Sequence, residues 1–214
     1  MNTRCISAIL AAIFLAAGLP SVANAALADD SSAIISGSVS ISRTTYPEFS
    51  AYIDYAVYSP GGYPGSLTFP ADKYVYCYQL FNDPISTNIV SFKIDLGTNL
   101  IAYNPYYDSA SGSGAPGGSI LPGTWGPFVG EGMIFYNFTT QNAIPADQYS
   151  AVLLFTSDFA PALTIDAGTV RDIQGGRFTM QLPTPLPTLI PEPASLLLLA
   201  LASPALLKTR RRKS

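Results

Sequence analysis

Residues 72–82, DKYVYCYQLFN, and residues 88–96, NIVSFKIDL, decide the fold. In the first run Val75, Cys77, Gln79 and Phe81 fall on one face of an extended chain, and Tyr74, Tyr76, Tyr78 and Leu80 on the other. In the second, Val90, Phe92, Ile94 and Leu96 alternate with Ser91, Lys93 and Asp95. A period of two in β-branched and aromatic residues marks strands, because successive side chains of a pleated strand point to opposite faces. Asn82-Asp83-Pro84 breaks the first run. The short link that follows predicts an antiparallel hairpin between the two.

The same signal repeats on either side. Residues 33–42 and 50–59 read as strands, and Pro60-Gly61-Gly62-Tyr63-Pro64-Gly65 forces a turn after them. Further on, a weaker strand is expected at 99–103, and others at 132–139, 149–157, 162–166, 169–173 and 177–182. Residues 108–119, DSASGSGAPGGS, are too small and polar to pack and read as a surface loop. Residues 121–129, LPGTWGPFV, read as irregular, with Trp125 and Phe128 at the core edge. No stretch between residues 26 and 190 holds a 3.6-residue apolar period with caps. About ten short strands separated by turn signals predict an all-β fold, an antiparallel β-sandwich that is jelly-roll-like.

Composition narrows the chemistry. Residues 26–190 hold five basic side chains (Arg43, Lys73, Lys93, Arg171, Arg177) against thirteen acids, a net of −8, whereas the whole chain carries −3. An acidic surface without a basic stripe argues against a nucleic-acid partner. The chain has no histidine, which removes Ser-His-Asp and Cys-His constellations and the usual near-neutral general base. Cys77 is the one cysteine after residue 25, so no intrachain disulfide forms there. On its strand it is expected to face inward as a small hydrophobe.

Three kinds of site can be drawn from the remaining residues. Tyr74, Tyr76 and Tyr78 share a strand face and are the first candidates for a platform on which sugar rings stack; the alternative is that they simply suit a pleated, half-buried face. Tyr52, Tyr55 and Tyr58, and Tyr103, Tyr106 and Tyr107, are weaker groups of the same kind. Two close carboxylates would make a glycosidase. The acids are scattered over turns and outward strand positions, where they are expected to be solvated. No D-x-D-x-D-G loop is present, so calcium is a weaker expectation, and neither metal nor cofactor is expected. Asn137-Phe138-Thr139 matches a glycosylation sequon, a chance match in this context.

The two ends carry addresses. Residues 1–4 are basic, 6–19 are apolar, and Ala23-Asn24-Ala25 is an A-x-A site, so residues 1–25 read as a signal helix cleaved after Ala25, with Ala23 and Ala25 at the small-residue positions and Ala26-Leu27-Ala28 as an alternative site. The sandwich is expected over 26–182. Pro183-Thr184-Pro185-Leu186-Pro187-Thr188 opens a proline-spaced stalk over 183–190.

The tail, residues 191–214, begins with Pro191-Glu192-Pro193. An uncharged segment follows over 194–207, with Ala194, Leu196, Leu197, Leu198, Leu199, Leu201, Leu206 and Leu207 as its apolar residues. The chain then closes on Lys208, Arg210, Arg211, Arg212 and Lys213. At ~1.5 Å per residue this short hydrophobic helix reaches ~21 Å, less than the ~30 Å of a bilayer core. Pro204 weakens it near its far end. The basic cluster acts as a stop-transfer charge that stays inside.

This order of motif, apolar run and basic end resembles the PEP-CTERM sorting domain of exported bacterial proteins, over roughly the last two dozen residues. The resemblance implies export through the Sec translocon, removal of the signal by signal peptidase, and transient insertion of the tail in the inner membrane. It further implies processing by an exosortase-type enzyme and delivery to the envelope, the surface or the extracellular matrix. The expected function is non-enzymatic: a structural or exopolysaccharide-associated protein. A carbohydrate- or calcium-dependent binding module is the first alternative, and a polysaccharide-active enzyme the second.

Overall fold

The computed structural model describes residues 27–44, 47–65, 67–97, 102–109, 120–128 and 132–186. The segments expected to form a signal helix over 1–25, the rest of a stalk beyond Leu186 and a sorting tail over 191–214 lie outside the described residues. After a 3-10 turn at Leu27–Asp29, eleven strands follow in the described part of the chain: β1 (Ile35–Arg43), β2 (Phe49–Tyr58), β3 (Tyr74–Asn82), β4 (Ile89–Asp95), β5 (Tyr103–Asp108), β6 (Thr124–Phe128), β7 (Met133–Asn137), β8 (Gln148–Tyr149), β9 (Val152–Ser157), β10 (Pro161–Asp172) and β11 (Arg177–Pro185). They form two antiparallel sheets. One is six-stranded, ordered β1-β2-β3-β9-β5 with the short β8 also on β3; the other is five-stranded, ordered β11-β10-β4-β7-β6.

The two sheets pack as a sandwich, because each turns one apolar face to the other. Ile53, Tyr76, Tyr78 and Phe155 come from the six-stranded sheet, and Phe92, Ile94, Tyr136, Val170 and Leu182 from the five-stranded one; all are buried in a single cluster. Hydroxyls sew the layers together. Tyr78 donates to the carbonyl of Pro183, and Tyr136 donates to that of Leu154 at 2.7 Å. Each bond crosses from one sheet to the other and satisfies a polar group that would otherwise be buried without a partner.

The expected hairpin is overturned. β3 and β4 lie in different sheets, and the link at 83–88 arches between them. β3 instead pairs with β2 and β9, with Ala56 opposite Cys77 on one side and Leu154 opposite it on the other. β4 pairs with β10, β5 with β9 and β6 with β7. The arm running from β4 to β6 thus folds back on the arm from β7 to β10.

Several strand bounds also differ from expectation. Residues 121–129 contain a regular strand, β6, despite Gly126 and Pro127. The two runs at 162–166 and 169–173 are one strand, β10, interrupted by a bulge between Thr164 and Gly168 where Asp166 has a φ of 56°. Gly168 leaves room there: an added Cβ would lie 2.4 Å from a Leu182 methyl on the neighbouring strand, which would have to shift. β5 starts at Tyr103 rather than ending there, and residues 99–101 lie outside the described residues. Pro183 and Pro185, assigned to the stalk, belong to β11, where they pair with Leu163 and Pro161. β11 is an edge strand, where a proline nitrogen that faces outward costs no ladder bond.

A third layer covers the outer face of the six-stranded sheet. Tyr58, Val75, Cys77 and Leu154 point to that face, and Leu27, Ala33, Tyr63, Leu67 and Phe69 close over them. Tyr58 donates to Asp30 at 2.6 Å, and Tyr63 donates to Asp108 at 2.9 Å. The Gly/Pro-rich turn after β2 is therefore the start of a strap that lies across the sheet. β3 is consequently buried on both faces.

Candidate functional site

The first candidate platform fails on burial. Tyr76 and Tyr78 have no exposed surface, and both hydroxyls donate to backbone carbonyls, Tyr76 to that of Phe159 and Tyr78 to that of Pro183. Tyr74 is half-buried at the start of the same strand and packs on the core. Burial pushes the Tyr76 and Tyr78 phenols well above the ordinary range, as it does Tyr58. These rings are core. They cannot stack a sugar, because the opposite sheet occupies the space in front of them.

Cys77 is buried as expected, but beneath the strap rather than between the two sheets. Burial first, and then the charges of Asp108 and Asp30, drive its thiol well above the ordinary value. It is held as the unreactive thiol.

The acids are less solvated than expected. Asp54, Asp108 and Asp172 are buried. Asp172 accepts from Arg43 Nη2 at 2.9 Å, from the Thr87 hydroxyl at 3.2 Å and from the Gly176 N–H at 2.6 Å. Arg43 also lies over the ring of Phe178, which stacks on Phe49 at 4.3 Å. Together they staple β1 and β2 to β10 and β11 at one edge of the sandwich. Asp54 is the carboxyl raised by its surroundings: burial pushes it up, a Ser38 hydrogen bond opposes this, and the charge of Asp29 adds to it. Among the described residues no group of three Cys, Asp or Glu side chains is gathered to hold a metal. Among them, too, no helix is long and apolar enough to cross a membrane. Pro191, Glu192, Pro193, the apolar and basic tail residues, and Ala23 and Ala25 lie outside the described residues.

The opposite edge of the sandwich is built from aromatics. β5 ends the six-stranded sheet and β6 ends the five-stranded one. Tyr106 and Tyr107 on β5 stack with ring centres 5.3 Å apart and planes within 5° of parallel. Trp125 on β6 stands edge-on to both, at 6.2 and 4.9 Å. Consecutive strand residues ordinarily point to opposite faces. Here the two rings nevertheless meet at the end of the sheet, just after an irregularity in the β5–β9 register between Tyr103 and Tyr106 where Asn104 has a φ of 50°. Tyr107 and Trp125 pack on the core, while Tyr106 stays 44% exposed.

Beside Tyr106 runs an open groove of about 480 Å³, lined by Leu67, Thr68, Phe69, Asn104, Pro105 and Tyr106. The strap forms one wall and β5 the other. None of the six residues carries a charge. Next along β5, Tyr103 lies under the Lys73 ammonium at 4.9 Å, and Lys73 is itself paired with Asp158. Asp158 is held below the ordinary carboxyl value, first by the Lys73 hydrogen bond. Trp125 was expected at the core edge and is found there; its contact with Tyr106 and Tyr107 depends on strand order and could not be read from spacing.

Fold and site together define a two-sheet antiparallel β-sandwich with a strapped outer face and a neutral aromatic groove at one edge. Comparison of the chain with protein-family models, curated proteins and solved structures gave no match.

Proposed function

We propose that this is an exported, non-enzymatic envelope or matrix protein of PEP-CTERM type, structural or exopolysaccharide-associated. The observation that carries the proposal is the order Pro191-Glu192-Pro193, apolar run and terminal basic cluster, set against an A-x-A signal at the other end. The signal helix at 1–25 and the short C-terminal helix at 194–207 belong to this proposal. In it the chain crosses by the Sec route, loses its signal to signal peptidase, and pauses in the inner membrane until an exosortase-type enzyme acts at the tail. A jelly-roll-like description of the domain is supported by the nested pairing of β4 with β10, β5 with β9 and β6 with β7.

The absence of histidine and the engagement of Asp172, Asp108 and Asp30 in structural hydrogen bonds favour a non-catalytic role. A second reading, a carbohydrate-binding module, is favoured by the groove beside Tyr106. The test is fractionation of the producing strain with mass spectrometry of the mature ends. The expected outcome is a chain starting near Ala26, ending near Glu192 and found outside the inner membrane. An intact Ser214 end in the inner membrane would overturn the proposal.

A further inference from the structure

We infer that the groove between the strap and β5 binds a short stretch of neutral polysaccharide, with a pyranose ring stacked on Tyr106. This deepens the exopolysaccharide-associated reading above and rests on it for the source of the ligand. A pyranose presents an apolar C–H face and a rim of hydroxyls, so its site needs an exposed aromatic surface flanked by uncharged hydrogen-bonding groups. The groove offers both. Tyr106 contributes exposed ring surface, while Thr68 and Asn104 contribute a hydroxyl and an amide from opposite walls. About 480 Å³ is within the size range of small-molecule sites.

The ring is also held in place before any ligand arrives. Tyr107 covers one side of Tyr106, and Trp125 braces the pair edge-on. A braced ring loses little rotamer freedom on binding, which keeps the entropic cost of association low. The lack of charge in the lining argues for a neutral sugar. An anionic ligand would have to sit on an acidic surface with no cation facing it from the groove walls.

Trp125 is the only tryptophan of the chain and touches Tyr106, so its fluorescence reports on the groove directly. The full chain, kept in detergent, is titrated with a panel of neutral hexasaccharides built from glucose, mannose, galactose or N-acetylglucosamine. At least one is expected to give a saturable change in emission. Tyr106→Ala is expected to weaken that response at least tenfold. Asn104→Gly tolerates the positive φ at this position, so it tests the amide without disturbing the strand, and is expected to weaken binding severalfold with an unchanged melting midpoint. A silent panel, or Asn104→Gly binding as tightly as the parent, would overturn the inference. Neither result bears on whether the tail is cleaved, so failure here and failure of the sorting reading are separable.

Discussion

A buried tyrosine hydroxyl is costly unless something accepts its proton, and in this protein the acceptors are backbone carbonyls. Tyr76, Tyr78 and Tyr136 each find one, and a hydrogen bond of this kind contributes roughly 1 kcal/mol net. Asp54 is a buried acid of the opposite character, raised mainly by desolvation. The sign follows from linkage. With its folded value above its unfolded one, Asp54 costs nothing while protonated in both states. As pH rises above about 4 the unfolded chain ionises first and stability falls, and the loss is complete above the folded value. Asp54→Asn is therefore expected to raise the thermal midpoint at pH 7, and the gain should vanish by about pH 3. Midpoints measured from pH 3 to 8 decide it. An equal gain at every pH would show that the charge is not the cause.

At the scale of the elements, alternation in the sequence marked β2, β3 and β4 correctly but could not say which neighbours they pair with. Period two identifies the two faces of a strand, and a five-residue link between strands suits a hairpin and an inter-sheet arch equally. β3 also misled by being apolar on both faces, which reflects its central position under the strap. Gly126 and Pro127 hid β6, and Asp166-Ala167-Gly168 looked like a turn where β10 only bulges. The groove was least legible of all, because Tyr106 and Trp125 meet only once β5 and β6 are known to be the facing edges. The strap makes its own prediction. In the parent protein Cys77 should react with DTNB only on unfolding. Tyr63→Ala removes the ring that packs on Tyr58 and Phe69. It should cost roughly 2 kcal/mol and let the thiol react in native buffer. A thiol that stays inert in this variant would mean that the rest of the strap suffices.

Across the whole molecule, one core is shared by both sheets, with the Arg43–Asp172 staple at one edge and the Tyr107–Trp125 contact at the other. Unfolding in urea should accordingly be a single transition. Trp125 fluorescence and Cys77 accessibility, which report from separate places, should share one midpoint; two separated midpoints would show that the strapped face melts independently. The edges have another consequence. Sheets that end in unpaired strands invite other chains to add on. Here β5 carries Pro105, β6 carries Pro127 and β11 carries Pro183 and Pro185, so among the described residues three of the four terminal strands contain a residue with no N–H to offer an added strand. Packed densely among its own copies, such a domain can be concentrated without being knitted into fibrils.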